Sequence, residues 1–159
     1  MLSFSISLLL ISSIVMGQTN FTLNDTVLVV DQEYEYPIHI RSASARLEGF
    51  RSLDSSLFDS LVHFLKIHQD KKFEIGVHTD YRGSTEGNRR ISQRQAENLM
   101  EILYRHGIQE SQLIPVGYGE VFTQYNEFTI NRLKTREERE KLHLLNGRIV
   151  FRVREMEEK

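Results

Sequence analysis

The chain has 159 residues, 40% hydrophobic and 26% charged, a balance that suits a folded globular domain with one core. Its 20 Lys and Arg against 22 Asp and Glu leave a net charge of −2 spread along the chain, which gives a polyanion no attracting field and excludes nucleic acid as the expected partner. With no cysteine, a disulfide framework, a thiolate zinc site and a lipid-acceptor cysteine are excluded as well.

The opening MLSFSISLLLISSIVMGQTN has a short apolar run with a small-residue exit, the pattern of a secretory signal ending at Gly17. It is short and serine-interrupted for a membrane-spanning helix, and because no Lys or Arg precedes the apolar run, a retained membrane anchor is the alternative to a cleaved signal. The expected division is a signal peptide over 1–17, an extended segment over 18–45 and a folded domain over 46–159, exported and free of a lipid anchor.

From Phe21 to Ile40, β-branched and aromatic residues including Val27, Val29, Tyr34, Tyr36 and Ile38 predict extended structure. Leu57, Phe58, Leu61, Phe64 and Leu65 form one helical stripe ending near His68, and Ser56 with Asp59 has the spacing of a capping box. Phe73, Ile75 and Val77 alternate with Glu74, Gly76 and His78, predicting a half-buried strand that runs into Thr79 and Asp80. Asp80 therefore stands at a strand end.

Tyr81 to Asn88, with Gly83 and Gly87, reads as a loop before a second helix carried by Ile91, Ala96, Leu99 and Leu103 and stopped at Gly107. Leu113 to Tyr118 reads as a short strand pushed to a sheet edge by Pro115. Thr135 and Glu138 have capping-box spacing before a highly charged, solvated helix through Leu145, and Ile149, Phe151 and Val153 alternate in a last strand. The order predicts an α+β fold of two layers, with helices packed on one face of a mixed β-sheet.

GVHTDYRGSTEGNRRISQRQAENLMEILYRHGI, followed by LIPVGYGE, resembles the OmpA-like peptidoglycan-binding domain. The family pattern is Thr-Asp-x-x-Gly, Asn-x-x-Leu-Ser-x-x-Arg-Ala, Gly-Ile, Gly-Tyr-Gly-Glu and a closing Asn-Arg-Arg. Thr79, Asp80, Gly83, Asn88, Ser92, Ala96, Gly107, Ile108 and Gly117 to Glu120 match it, with Ile91 in place of Leu, over roughly Ser56 to Val153. Arg41 to Leu53 lacks the Phe-Asp-type strand end that usually opens the domain.

The resemblance implies a strand-end aspartate, Asp80, that takes the ammonium of diaminopimelate, while a helix arginine and backbone N–H groups take its carboxylate. The arginine position is Gln95 in this chain, and the closing motif reads Asn146-Gly147-Arg148, so two family cations are missing. Losing one charge-assisted pair costs about 1.5 to 3 kcal/mol, so weakened affinity is the expectation. Arg89, Arg90 and Arg148 are the candidate replacement cations, and Asn88 completes the expected site in a mainly structural role. Gln95 has two readings, a neutral ligand contact or the partner of Ser92 in a capping box; Asp80 has an Asx turn as its alternative. Gly117 and Gly119 read as residues needed for unusual backbone angles.

No HxxxH pair, nucleophile elbow, Walker loop or dinucleotide fingerprint occurs, so the expectation is a non-enzymatic module without cofactor or metal. The resemblance places it in the periplasm, associated with the outer membrane or cell wall, with diaminopimelate-containing peptidoglycan as partner and an outer-membrane or envelope protein as a further one. The alternative is a fold retained for protein–protein contact in an envelope complex, without wall binding.

Overall fold

The computed structural model describes residues 20–39 and 55–155. The expected signal peptide and the divergent Arg41–Leu53 stretch lie outside the described residues.

Four strands form one mixed sheet: β1 (Glu33–His39), β2 (Lys72–His78), β3 (Leu113–Gly119) and β4 (Arg148–Arg154), in the order β1-β4-β2-β3. β4 runs antiparallel to both β1 and β2, and β3 runs parallel to β2 at one edge. Pro115 thus sits on an edge strand, where a residue without an N–H leaves no central ladder bond unmade. β1 comes from the segment upstream of the family-like stretch and supplies the opposite edge. It is shorter than the composition suggests: Val27 and Val29 precede it in turn and irregular backbone and are exposed.

Helices α1 (Ser55–Ile67) and α2 (Thr85–Arg105) cover one face of this sheet. Leu61, Phe64 and Leu65 of α1 and Ala96, Leu99 and Leu103 of α2 meet Tyr36, Phe73, Ile75, Val77, Ile149, Phe151 and Val153 in a single core. Full burial of each large apolar side chain contributes about 1.5 to 3 kcal/mol, which makes this layer contact the main source of stability. Ser56 lies inside α1 rather than at its cap, so the Ser56–Asp59 capping box is not formed.

The opposite face explains why β2 is buried on both sides rather than half-buried. Glu74 is only 4% exposed because Arg152 and Arg154 of β4 and the hydroxyl of Tyr118 of β3 close over its carboxylate, Arg154 Nε donating at 2.9 Å. Arg152 also bonds Glu33 of β1, so charged groups on β1, β4 and β2, with the Tyr118 hydroxyl of β3, form a ladder across the sheet. His78, further along, stacks on Tyr118 with ring centroids 4.9 Å apart.

Helix α2 begins four residues earlier than Gly83, Gly87 and their neighbours suggest. Ser84 is its N-cap and accepts the Gly87 N–H at 3.1 Å, so Thr85 to Asn88 are helical and not loop. Ser92 consequently lies two turns inside the helix, which rules out a capping box with Gln95. Its hydroxyl instead accepts the Gly119 N–H at 2.9 Å, pinning the end of β3 to α2. Gly119 has the positive φ (58°) expected of it, but Gly117 does not; a Cβ there would stand 2.2 Å from the Gln93 nitrogen. Close helix–strand approach, not backbone angle, requires Gly117.

After β3 come α3 (Glu127–Asn131) and α4 (Arg136–Asn146). The Thr135–Glu138 capping box at the start of α4 is formed in both directions.

Candidate functional site

The end of β2 delivers Asp80 to the floor of a cleft of about 630 Å³. Its walls are the turn after β2 with the first turns of α2 (Arg82, Gly83, Ser84, Gly87, Asn88, Ile91) and the exposed helix α4 (Arg136, Glu140, Leu144). Local sequence builds each wall. Gly83 has φ 107°, which turns the chain sharply after Asp80. Asn88 then ties turn to helix, its amide donating to the Asp80 carbonyl at 3.2 Å and to Glu120 at 2.6 Å. Asn88 is 3% exposed and acts as a brace, which agrees with its expected structural role.

The Asp80 carboxylate is 2% exposed and already holds a cation. Oδ1 accepts the Arg82 backbone N–H at 2.9 Å, which is the expected Asx turn. Oδ2 accepts from Arg82 Nε at 2.9 Å and Nη2 at 2.6 Å, while Nη1 of the same guanidinium donates to both Glu140 oxygens at 3.1 Å. The same carboxylate thus makes the Asx turn and an internal ion pair with Arg82. His143, 7% exposed, places Nδ1 3.8 Å from Asp80 Oδ2; burial, with the positive charge of Arg82, lowers its pKa against the opposing pull of Asp80 and Glu140, which keeps the ring neutral.

The other sequence-derived candidates separate. Gln95 is 0% exposed within α2 and does not line the cleft, so its neutral ligand contact is not made from this position. Arg89 and Arg90 are exposed on α2, outside the cleft lining. Arg148 lines a different cleft of about 450 Å³ on the charged sheet face, with His78, Tyr118 and Phe122. There it donates to the Phe122 carbonyl at 2.9 Å and the Asn146 carbonyl at 3.3 Å, with Glu35 at 4.0 Å. The structure thus brings Asp80 and Asn88 together and leaves the three proposed replacement cations elsewhere.

Sequence reasoning missed Arg82, Arg136 and Glu140. Arg82 had a signal, since an arginine two residues after an aspartate in an Asx turn can fold back on it. Arg136 and Glu140 had none, because only the tertiary placement of α4 puts them opposite Asp80. Among the described residues, no cluster of His, Asp or Glu is placed to hold a metal ion, and no helix is long and apolar enough to cross a membrane.

A family model described as the OmpA family matches residues 44–141, more than half of the chain. The chain belongs to the OmpA family. The peptidoglycan-associated lipoprotein of Legionella pneumophila is 39% identical over 56 residues, covering 35% of this chain and 32% of that protein. Outer membrane porin F of Pseudomonas fluorescens is 33% identical over 61 residues, 38% of this chain and 19% of that protein. The matches thus span a third or less of these curated relatives. The crystal structure of the peptidoglycan-associated lipoprotein from Burkholderia pseudomallei superposes with a TM-score of 0.54 at 19% identity, covering 74% of this chain and 88% of that one. A putative MotB-like protein from Desulfovibrio vulgaris gives 0.53 at 14% identity, covering 78% and 74%. These likenesses establish the OmpA-like α+β fold, in agreement with the layered architecture read from the sequence.

Proposed function

We propose that this chain is a non-catalytic envelope module that holds the diaminopimelate end of peptidoglycan stem peptides in the Asp80 cleft, with low affinity. The observation that carries the reading is Asp80 itself: a buried carboxylate at a strand end, braced by Asn88, on the floor of an open cleft. Membership of the OmpA family and the likeness to a peptidoglycan-associated lipoprotein support the same ligand.

Low affinity has two causes. The family's arginine position carries Gln95, which removes a charge-assisted bond worth about 1.5 to 3 kcal/mol. Asp80 is also paired with Arg82, so an incoming ammonium competes with an internal cation rather than filling an empty acceptor. The Glu140 carboxylate, which shares Arg82, softens that competition by keeping a partner for the displaced guanidinium.

The proposed organisation is a signal peptide over 1–17 and an extended segment over 18–45 that lends β1 to the sheet of the OmpA-like domain over 46–159, working in the periplasm at the outer membrane or wall. The decisive experiment is co-sedimentation of residues 18–159 with purified sacculi, for the wild type and Asp80→Asn. The reading expects partial sedimentation that Asp80→Asn abolishes. Sedimentation indifferent to Asp80, or none at all, favours the alternative of a fold kept for contact with an envelope protein.

A further inference from the structure

We infer that Arg136, at the start of α4, is the cation that receives the ligand's carboxylate in place of the arginine missing at position 95. The inference rests on the diaminopimelate reading above and assigns the other half of that site.

Two acidic and two basic residues line the cleft: Asp80 and Glu140, Arg82 and Arg136. Arg82 bonds both acids. Arg136 makes no hydrogen bond or ion pair among the described residues, and it is exposed to the cleft. The Asp80–Arg82–Glu140 group therefore carries one surplus negative charge, and Arg136 carries one unmatched positive charge. A zwitterion completes that arithmetic, its ammonium going to the acids and its carboxylate to Arg136.

The placement of Arg136 is also unfavourable for the helix that carries it. It occupies the first position of α4, where the helix dipole favours anions, and the acids of that turn are Glu137 and Glu138. The Thr135–Glu138 capping box fixes this turn, so the arginine is presented on a rigid base. Across the cleft stands the N-terminal turn of α2, with Ser84 and Gly87 in the lining, a second contributor of positive potential toward the same carboxylate. Among the described residues, Arg82 is the other arginine of the lining and is held by the two acids, while Arg89 and Arg90 lie outside the lining and Arg148 belongs to the cleft on the sheet's far face.

The test is calorimetric titration of residues 18–159 with two probes: a stem peptide ending in diaminopimelate, and the same peptide with its free-end carboxylate converted to a carboxamide. Wild type, Arg136→Gln, Arg136→Lys and Asp80→Asn are compared, with circular dichroism confirming that each is folded. The wild type should prefer the carboxylate by about ten-fold or more. Arg136→Gln should lose that preference while holding the carboxamide as before, and Arg136→Lys should recover part of it. A preference that survives Arg136→Gln overturns the assignment and leaves the Asp80 reading intact if Asp80→Asn still abolishes binding. Failure of the wild type to bind either peptide removes both.

Discussion

Arg82 grips Asp80 through Nε and Nη2 and Glu140 through Nη1, so one guanidinium joins the end of β2 to the middle of α4 across the cleft. The three groups form a chain in which the middle charge is shared. The pair with Arg82 satisfies the Asp80 carboxylate without ligand, and the second hold on Glu140 keeps a partner for the guanidinium when a ligand displaces it. The cation that stands closest to the proposed ammonium site belongs to the protein.

Removing that internal cation should strengthen ligand binding. Arg82→Gln keeps a polar side chain of moderate length and takes the guanidinium off Asp80 Oδ2. Because the Arg82 side chain is 46% exposed, solvent screens the pair, and the gain for a diaminopimelate stem peptide should be roughly two- to ten-fold. Isothermal titration against the wild type reads it directly. Unchanged or weaker binding would mean that Arg82 helps to hold the ligand and does not compete with it.

Gly117 sets the distance between α2 and β3. A methyl group there meets the Gln93 nitrogen at 2.2 Å and its Cα at 2.5 Å, both backbone atoms of a packed helix that cannot swing aside. Gly117→Ala should destabilise the fold by about 3 kcal/mol or more, measured by urea unfolding. A loss below about 1 kcal/mol would show that α2 slides freely on the sheet, contrary to the tight packing described.

His78 gives the fold an acid limit. Burial first, then the positive charges of Arg148 and Arg152, lower its pKa to about 3 from the ordinary 6.5. Above pH 6.5 the ring is neutral in both folded and unfolded chains and contributes no pH dependence. Between 6.5 and about 3 only the unfolded chain takes up the proton, so stability falls as pH falls. His78→Phe keeps a ring against Tyr118 and removes the titration. The stability difference between the variant and wild type should therefore shift in the variant's favour by on the order of 2 kcal/mol between pH 7 and pH 4.5. Paired urea unfolding at the two pH values measures it, and a difference independent of pH would contradict the assignment.

The parts of the fold that were legible in the sequence are those set by local periodicity. The core stripes of α1, α2, β2 and β4 follow from apolar spacing, and Gly107 and Thr135 mark helix ends through backbone chemistry that acts over three or four residues. What was not legible depends on contacts across the chain. Gly83 and Gly87 look like loop residues, yet Ser84 caps the helix ahead of Gly87, so Gly87 is helical. Glu74 looks like the solvent-facing half of an alternating strand, but Arg152 and Arg154, some eighty residues away, bury it. The site divides in the same way. Asp80 and Asn88 are visible in a short motif, whereas Arg136 and Glu140 reach the cleft only because α4 folds back beside the start of α2.

The most direct test of the account is an NMR titration of residues 18–159 with a diaminopimelate stem peptide, for wild type and Asp80→Asn. The account predicts weak, saturable shifts in the wild type, concentrated on the Asp80 to Asn88 segment and on α4 near Arg136 and Glu140, and their loss in Asp80→Asn. Shifts confined to other surfaces, or none up to millimolar peptide, would contradict it and turn attention to a protein partner.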